Sequence, residues 1–379
     1  MVAFSSVIAL AVGEVLLRLI PIPGVAYHTY YFDDRTGGKY YPRTTAIYRN
    51  ARGDFVERRV NSWGFADDEH ETAPATGVLR IGFFGDSYTE ARQVPLEATF
   101  VRLIEDGLNE SASAFGGRVN GRGEPVTRVE TLNFGMSGRS TLQSFLEYEQ
   151  WVQRAHLDGV VYVFCENDPG DQIEVIKRSD IVPYAVLDGD SFGVDYSFVE
   201  RYGYKNSHMH RTWQFFKSNS LVLSTLEGRL KLLMKHGIKM KVTEEDRAGG
   251  RGGRGPRGVE PSSWPSDSLA THGWELFTRV LDAWRRDTAG RGLPLCVIPI
   301  PREKEVGKPI GEQDAWAARV GSWCAAHRVA FVDPNPAFAA AKAGGHELYY
   351  DHFTVDGHRA FADAFIRQSV DWFAARAPE

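Results

Sequence analysis

Five short apolar runs recur from Val78 onward, and each is followed by a stretch with helical spacing. The runs are Leu79–Phe84, Val126–Leu132, Val160–Phe164, Leu295–Ile298 and Val329–Val332. The stretches with apolar residues every three or four positions are Phe100–Leu108, Leu142–Arg154, Trp274–Thr288, Asp314–His327 and His358–Ala375. Short continuous apolar runs suit strands buried on both faces, and a period of 3.6 suits amphipathic helices. Strand–helix alternation implies a parallel sheet covered by helices, with right-handed crossovers. The expected fold is therefore α/β, a three-layer α/β/α sandwich on a five-stranded parallel sheet.

Three segments fall outside that pattern. Residues 1–24 begin with a mostly apolar stretch, Val2 to Ile20, interrupted by Glu14 and Arg18 and closed by Pro21-Ile22-Pro23-Gly24. A membrane span needs about 20 apolar residues, and charges toward its end can reach the interface. The stretch is read as a signal-anchor or membrane-associated helix, with an amphipathic helix packed on the domain as the alternative. Residues 25–77 are an aromatic-rich lead-in with short β segments, in which Asn61-Ser62-Trp63-Gly64-Phe65 reads as a turn packing an aromatic pair. The remaining segment, 169–268, interrupts the main domain (78–379) between the third and fourth strands. It carries a β-like run at Ile181–Leu187 and a leucine-rich helical stretch at Ser220–His236. Its last part, 244–268, is rich in glycine, arginine and proline. Such a composition cannot bury a core, so a disordered loop is expected there. The whole insertion is expected to form a cap near the strand ends.

Composition narrows the class without naming it. Of 379 residues, 43% are hydrophobic and 25% charged, enough for a sizeable core, and the net charge of −5 asks for no nucleic-acid partner. The single Arg-Gly-Gly tract is read as a solvated loop. Cys165, Cys296 and Cys324 fall in apolar contexts with no metal-ligand spacing. No phosphate-cradling glycine loop occurs either, so neither a metal nor a cofactor is expected.

Four short blocks stand at predicted strand ends or just before a helix. They are Gly85-Asp86-Ser87, Asn133-Phe134-Gly135-Met136-Ser137-Gly138, Cys165-Glu166-Asn167-Asp168, and Asp351-His352-Phe353-Thr354-Val355-Asp356-Gly357-His358. Ligands in open α/β sheets bind beyond the carboxyl ends of the strands. Acyl transfer needs a nucleophile, a base and donors aimed at a developing oxyanion. A serine, a histidine, backbone N–H groups and an asparagine amide supply that set.

On these blocks the sequence resembles the SGNH (GDSL-like) hydrolase superfamily over about residues 60–170 and 290–375. It is closest to bacterial membrane-anchored members that carry a Gly-Asp-Ser-aromatic-Thr-Glu block and an N-terminal apolar helix. The resemblance implies a flavodoxin-like sheet and a serine esterase or deacylase acting on an acyl ester, an acetyl ester among the options, of a glycan or lipid. It also implies a membrane-anchored location on the extracytoplasmic or periplasmic side. Ser87 would be the nucleophile, His352 the base and Asp351 the acid. Ser87, Gly135 and Asn167 would form the oxyanion hole, with Asp86 and Asp168 bracing their loops. His358, in the first turn of a predicted helix, is read as a packing residue.

The chain departs from the family twice. Cys165 stands where glycine is usual. Tyr349 stands where the family has an aspartate three residues before the histidine, which leaves Asp351 as first choice for the acid, with Asp333, Glu347 or a backbone carbonyl in its place as alternatives. Two other functions keep the same residues: transfer of the acyl group to a sugar hydroxyl, and carbohydrate binding by a site that no longer reacts.

Overall fold

The computed structural model describes residues 2–19, 30–50, 52–110, 118–227, 230, 267–309, 315–369 and 375–376. Five strands form one sheet: β1 (Val78–Phe84), β2 (Arg128–Asn133), β3 (Gly159–Phe164), β4 (Leu295–Pro299) and β5 (Ala330–Phe331). Their order is β5-β4-β3-β1-β2, and every pairing is parallel. The chain steps from β1 outward to β2, then returns to place β3 on the other flank of β1. The crevice above β1 and β3 is thus the switch point at which open sheets collect ligands. Register aligns the three strand ends there: Phe83 lies opposite both Asn133 and Val161, and Phe84 opposite Tyr162.

Burial explains why these strands read as unbroken apolar runs. Every residue of β1, β3 and β4 is buried, because helices cover both faces. On one face lie α2 (Thr141–Trp151), α3 (Asp267–Gly290) and α4 (Ala315–His327), with Phe84, Tyr148, Tyr162 and Trp284 at the centre. The other face carries α1 (Phe100–Glu110), α5 (Asn335–Ala343) and α6 (Val355–Ser369), packed through Phe83, Phe100, Phe361 and Phe365. Each such side chain contributes roughly 1.5–3 kcal/mol by leaving water.

One charge inside β1 has to be satisfied locally. The Arg80 guanidinium, 1% exposed, donates to Glu130 Oε2 at 2.6 Å and to the carbonyls of Glu71, Thr72 and Ala155. Glu130 Oε1 also accepts from His70 Nδ1 at 2.8 Å, while His70 Nε2 bonds Asp67 Oδ2 at 3.0 Å. Burial acts to lower the His70 pKa, but the two carboxylates outweigh it and raise the value to about 10. A histidine raised in this way stabilises the fold fully below its unfolded value near 6.5 and loses that contribution as pH climbs toward 10. Urea midpoints of the parent protein should therefore fall between pH 6.5 and 10. In His70→Gln this component of the fall should vanish, and parallel curves for the two proteins would refute the assignment.

Several element boundaries differ from the sequence reading. β2 starts at Arg128 because the Val126 N–H instead bonds the Arg118 carbonyl. α3 starts at Asp267, so Asp267 and Ser268 are helical; the rest of the 244–268 loop lies outside the described residues. α6 starts at Val355, three residues before His358, and ends at Ser369. Ala375–Arg376 is not helical but pairs antiparallel with Arg118–Val119.

The lead-in forms two hairpins, Tyr30–Asp33 with Gly37–Tyr40 and Thr45–Arg49 with Phe55–Arg59. In the turn after them, the Asn61 side chain accepts from the N–H groups of Trp63 and Phe65. The two rings do not pack as a pair as expected; each packs on Trp151, and Phe65 also meets Phe134 edge-on. In the insertion, Tyr184–Asp188 and Ser191–Asp195 form a hairpin, followed by helices Ser197–Tyr202 and His208–Asn219 and a helical stretch at 221–227. Of the stretch expected to be helical at Ser220–His236, the part beyond 227, apart from residue 230, lies outside the described residues.

Val2–Leu19 is helical. Its Glu14 carboxylate accepts from Ser220 Oγ and from the N–H groups of Leu221 and Val222, which ties this helix to the insertion. No described helix is long and apolar enough to cross a membrane.

Candidate active site

The nucleophile candidate sits where β1 turns into a single helical turn, Ser87–Glu90. Asp86 caps that turn: its Oδ1 accepts from the Tyr88 N–H at 3.0 Å. Ser87 occupies the first helical position, where a backbone N–H has no partner inside the helix. Its hydroxyl meets His352 Nε2 at 2.8 Å, across 265 residues of chain. Tyr88 packs its ring 4.6 Å from the imidazole and 4.9 Å from Phe353, which fixes the histidine loop against the serine turn.

Asp351, the candidate acid, is less tightly engaged than His352, the candidate base. Asp351 Oδ1 accepts from the His352 backbone N–H at 2.9 Å and lies 3.7 Å from His352 Nδ1. That distance is outside hydrogen-bond range, and Nδ1 is buried with no hydrogen-bond partner. The Tyr48 hydroxyl reaches the other oxygen, Oδ2, at 3.4 Å. Neither alternative acid is free to serve His352 as it stands. Glu347 pairs with Arg52, and Asp333 Oδ1 accepts from the Asn335 N–H. His358 is fully buried, accepts the Phe100 N–H on Nδ1, and is held neutral by burial, with its pKa lowered to about 3.

The donors need one correction. The Gly135 N–H is committed to Asn133 Oδ1 at 2.9 Å inside the protein and cannot also serve an oxyanion. Asn133 is itself fixed, its N–H bonding Asp67 Oδ2 at 2.7 Å and its amide donating to the Thr89 carbonyl at 2.7 Å. Gly135 instead provides room for the serine turn, whose backbone passes against it. Farther along the same loop, Gly138 is exposed at φ +76°. Its carbonyl accepts from Lys177 Nζ at 2.7 Å. Lys177 also pairs with Asp171, whose Oδ2 accepts from the Asn167 amide at 2.8 Å. Asn167 and Gly138 are thereby held in one polar cluster. An asparagine amide carries two donors, so this bond leaves Asn167 one for a ligand.

Two buried carboxylates brace the loops. Asp168 Oδ2 accepts from the Tyr162 hydroxyl at 2.6 Å and from the Cys165 N–H at 2.8 Å. Burial pushes the pKa of both Asp86 and Asp168 up, Asp168 well above the usual carboxylate range, and the nearby Asp86 charge adds to that rise. Cys165, buried like the other two cysteines, is the small residue packed at this point.

Sequence reasoning gave Glu90 no role. It is fully buried and accepts from the Tyr40 hydroxyl, from the Ser137 N–H at 2.7 Å and from the Ser137 hydroxyl. It thus ties the serine turn, the Asn133–Gly138 loop and the lead-in together. The available signal was its place three residues after Ser87, one helical turn on.

No family model matches this chain, and no curated protein does. Among solved structures, it is similar to an acetylxylan esterase from Geobacillus stearothermophilus. The two are 13% identical over 80% of this chain and 97% of that one, with a TM-score of 0.39. A member of the lipolytic protein G-D-S-L family from Veillonella parvula DSM 2008 is 11% identical over 78% and 99%, with a TM-score of 0.37. The acetyl xylan esterase AlAXEase is 14% identical over 77% and 100%, with a TM-score of 0.38. At this level of similarity the functional reading rests on the geometry of the site itself.

Proposed function

We propose that the chain is a serine esterase that hydrolyses an acyl ester of a glycan or lipid. The observation that carries this is the 2.8 Å contact between His352 Nε2 and Ser87 Oγ at the switch point of a parallel sheet. Ser87 Oγ attacks the ester carbonyl while His352 takes its proton, and the same proton is returned to the departing alcohol. Water then enters with His352 as base and releases the acid, restoring the serine. The tetrahedral oxyanion is met by the Ser87 N–H, the second Asn167 donor and the Gly138 N–H, the last taking the place first assigned to Gly135. Asp351 supports His352 through its bond to the backbone N–H and through its charge across the 3.7 Å gap to Nδ1, not through a direct hydrogen bond to the ring.

That gap is also the one observation that favours a binding site without turnover. Incubation of the purified chain with p-nitrophenyl acetate, beside Ser87→Ala, separates the two. Turnover by the parent alone supports the esterase, and none by either protein supports binding only.

We also propose attachment to a lipid surface through Val2–Leu19. Ile8, Leu10, Val12, Val15 and Leu16 of this helix are 44–55% exposed, a run of apolar side chains suited to the acyl boundary of a bilayer. The full chain should sediment with phosphatidylcholine–phosphatidylglycerol vesicles, and a chain starting at residue 25 should stay in the supernatant. Equal partitioning of the two would exclude this helix as the anchor.

A further inference from the structure

One helix of the insertion turns its polar side toward the protein. His208–Asn219 is capped by Ser207, whose Oγ accepts from the His210 N–H at 3.3 Å. The stripe it turns inward is polar: Lys217 and Ser218 are buried, and His210 and Gln214 are half-buried. Lys217 Nζ pairs there with Glu227 Oε2 at 2.7 Å. Met209, Trp213 and Phe216 recur at i, i+4 and i+7 and form a second stripe. Together with Phe215 they are 47–84% exposed. A helix packed only on its own domain shows the opposite pattern, apolar inward and polar outward.

Two observations point to what covers the outer stripe. The first is continuity with the exposed apolar side of Val2–Leu19. The Glu14 carboxylate accepts from Ser220 Oγ, on the residue directly after the helix, and from the N–H groups of Leu221 and Val222. Ile8, Val12, Val15 and Leu16 are thus carried on a helix fastened where the outer stripe ends. The second is charge. Residues 201–241 contain nine Lys or Arg and a single carboxylate, Glu227, in a chain whose net charge is −5. The helix itself has no acidic residue, and its Arg211 is exposed.

Bulky apolar and aromatic side chains in a basic stretch suit a helix lying in the interface of an anionic membrane. Nucleic acid would answer the cations and leave Met209 and Phe216 in water. A neutral apolar partner would cover the stripe and leave the cations without counter-charge. The helix has 12 residues, far fewer than the roughly 20 that a span needs, so it lies along the surface. We propose that His208–Asn219 docks on an anionic lipid bilayer, with Met209, Trp213, Phe215 and Phe216 in the acyl boundary and Arg211 toward the headgroups. This second contact rests on the attachment proposed for Val2–Leu19, because stable anchoring ordinarily takes two signals.

Vesicle sedimentation of the full chain tests the contact. Affinity should be about ten-fold or more higher for phosphatidylcholine–phosphatidylglycerol vesicles than for pure phosphatidylcholine, and added salt should erase the difference. Replacing Met209, Trp213 and Phe216 together by serine should weaken binding to the mixed vesicles about ten-fold or more. The melting temperature should hold, because these side chains are exposed. Brominated phosphatidylcholine in the vesicles should quench tryptophan emission, and Trp213→Phe should lose part of that quenching while still binding. Unchanged affinity in the triple variant with unchanged quenching in Trp213→Phe would overturn the proposal and leave Val2–Leu19 as the anchor. Equal affinity for neutral and anionic vesicles would overturn it too. So would dimers that the triple variant abolishes in a protein that binds no vesicle, which would assign the stripe to a second copy. Replacing Ile8, Val12 and Val15 by serine separates the two contacts. If that variant still binds and the Met209, Trp213 and Phe216 variant does not, the N-terminal reading falls and this one stands.

Discussion

Ser87→Ala is expected to lower kcat for p-nitrophenyl acetate by on the order of 10⁶, with circular dichroism and melting temperature unchanged. The serine is partly exposed, and its side chain makes one contact of consequence, to His352 Nε2 at 2.8 Å. Its removal therefore takes away the proposed nucleophile without leaving a hole in the core. His352→Ala should cost about as much. The double substitution should cost little more, because residues that act as one unit lose their effect together rather than additively. Asp351→Ala is expected to be milder, about 10² or less, because its carboxylate stands 3.7 Å from Nδ1 and is shared with Tyr48. An acid already bonded to the ring nitrogen would cost about 10⁴. Progress curves with freshly purified protein decide the matter. Full activity in Ser87→Ala would remove the serine from the mechanism. Activity surviving in His352→Ala but lost in His358→Ala would move the base to a histidine that is fully buried.

The sheet was legible in the sequence because its strands are buried on both faces, which leaves apolar runs too short and too continuous for helices. The serine turn was legible for a related reason: polar residues directly after such a run have only the strand end to occupy. Helix starts were less clear. α3 opens Asp267-Ser268-Leu269-Ala270-Thr271-His272-Gly273, so only Leu269 and Ala270 precede Trp274 on its apolar side, too few to mark a start. α6 opens with Val355-Asp356-Gly357, and glycine there argues against a helix. Yet Thr354 Oγ1 accepts the Gly357 N–H, and a Cβ on Gly357 would come within 2.3 Å of the Leu348 carbonyl oxygen. Tertiary contact, invisible locally, explains that glycine.

At the site, residue types were legible and hydrogen-bond allocation was not. Asn133 stands two residues before Gly135, and nothing in the sequence says that its side chain takes the Gly135 N–H. Nor does the sequence say that Lys177, in the insertion, reaches back to the Gly138 carbonyl, or that Glu90 folds inward to hold Ser137. These bonds depend on where the loops cross in space. The same holds for the acid: Asp351 and His352 are neighbours in sequence, yet adjacency directs Oδ1 to the backbone N–H rather than to the imidazole.

Gly135→Ala should be the most damaging single methyl group in the site. A Cβ built there would stand 2.5 Å from the Glu90 nitrogen and 2.6 Å from both the carbonyl carbon and the Cβ of Thr89. Two of these atoms belong to the backbone of the serine turn, which no side-chain rotation can move aside. The turn is also pinned on its far side, where Glu90 holds Tyr40 and Ser137. Overpacking of this kind costs about 1–3 kcal/mol or more, a loss of several degrees in melting temperature. Activity should fall further than stability, because a displacement of about 1 Å in the nucleophile can cost 10² in rate. The expected signature is kcat reduced by about 10² or more in protein that is still folded at 25 °C, with KM little changed. Gly138→Ala is the control: no atom lies within 4 Å of its added Cβ, so only the positive φ resists. That strain costs about 1 kcal/mol, and the backbone N–H proposed to meet the oxyanion is kept. If Gly138→Ala proved the worse of the two in kcat, the serine turn would not be wedged against Gly135 as these contacts require.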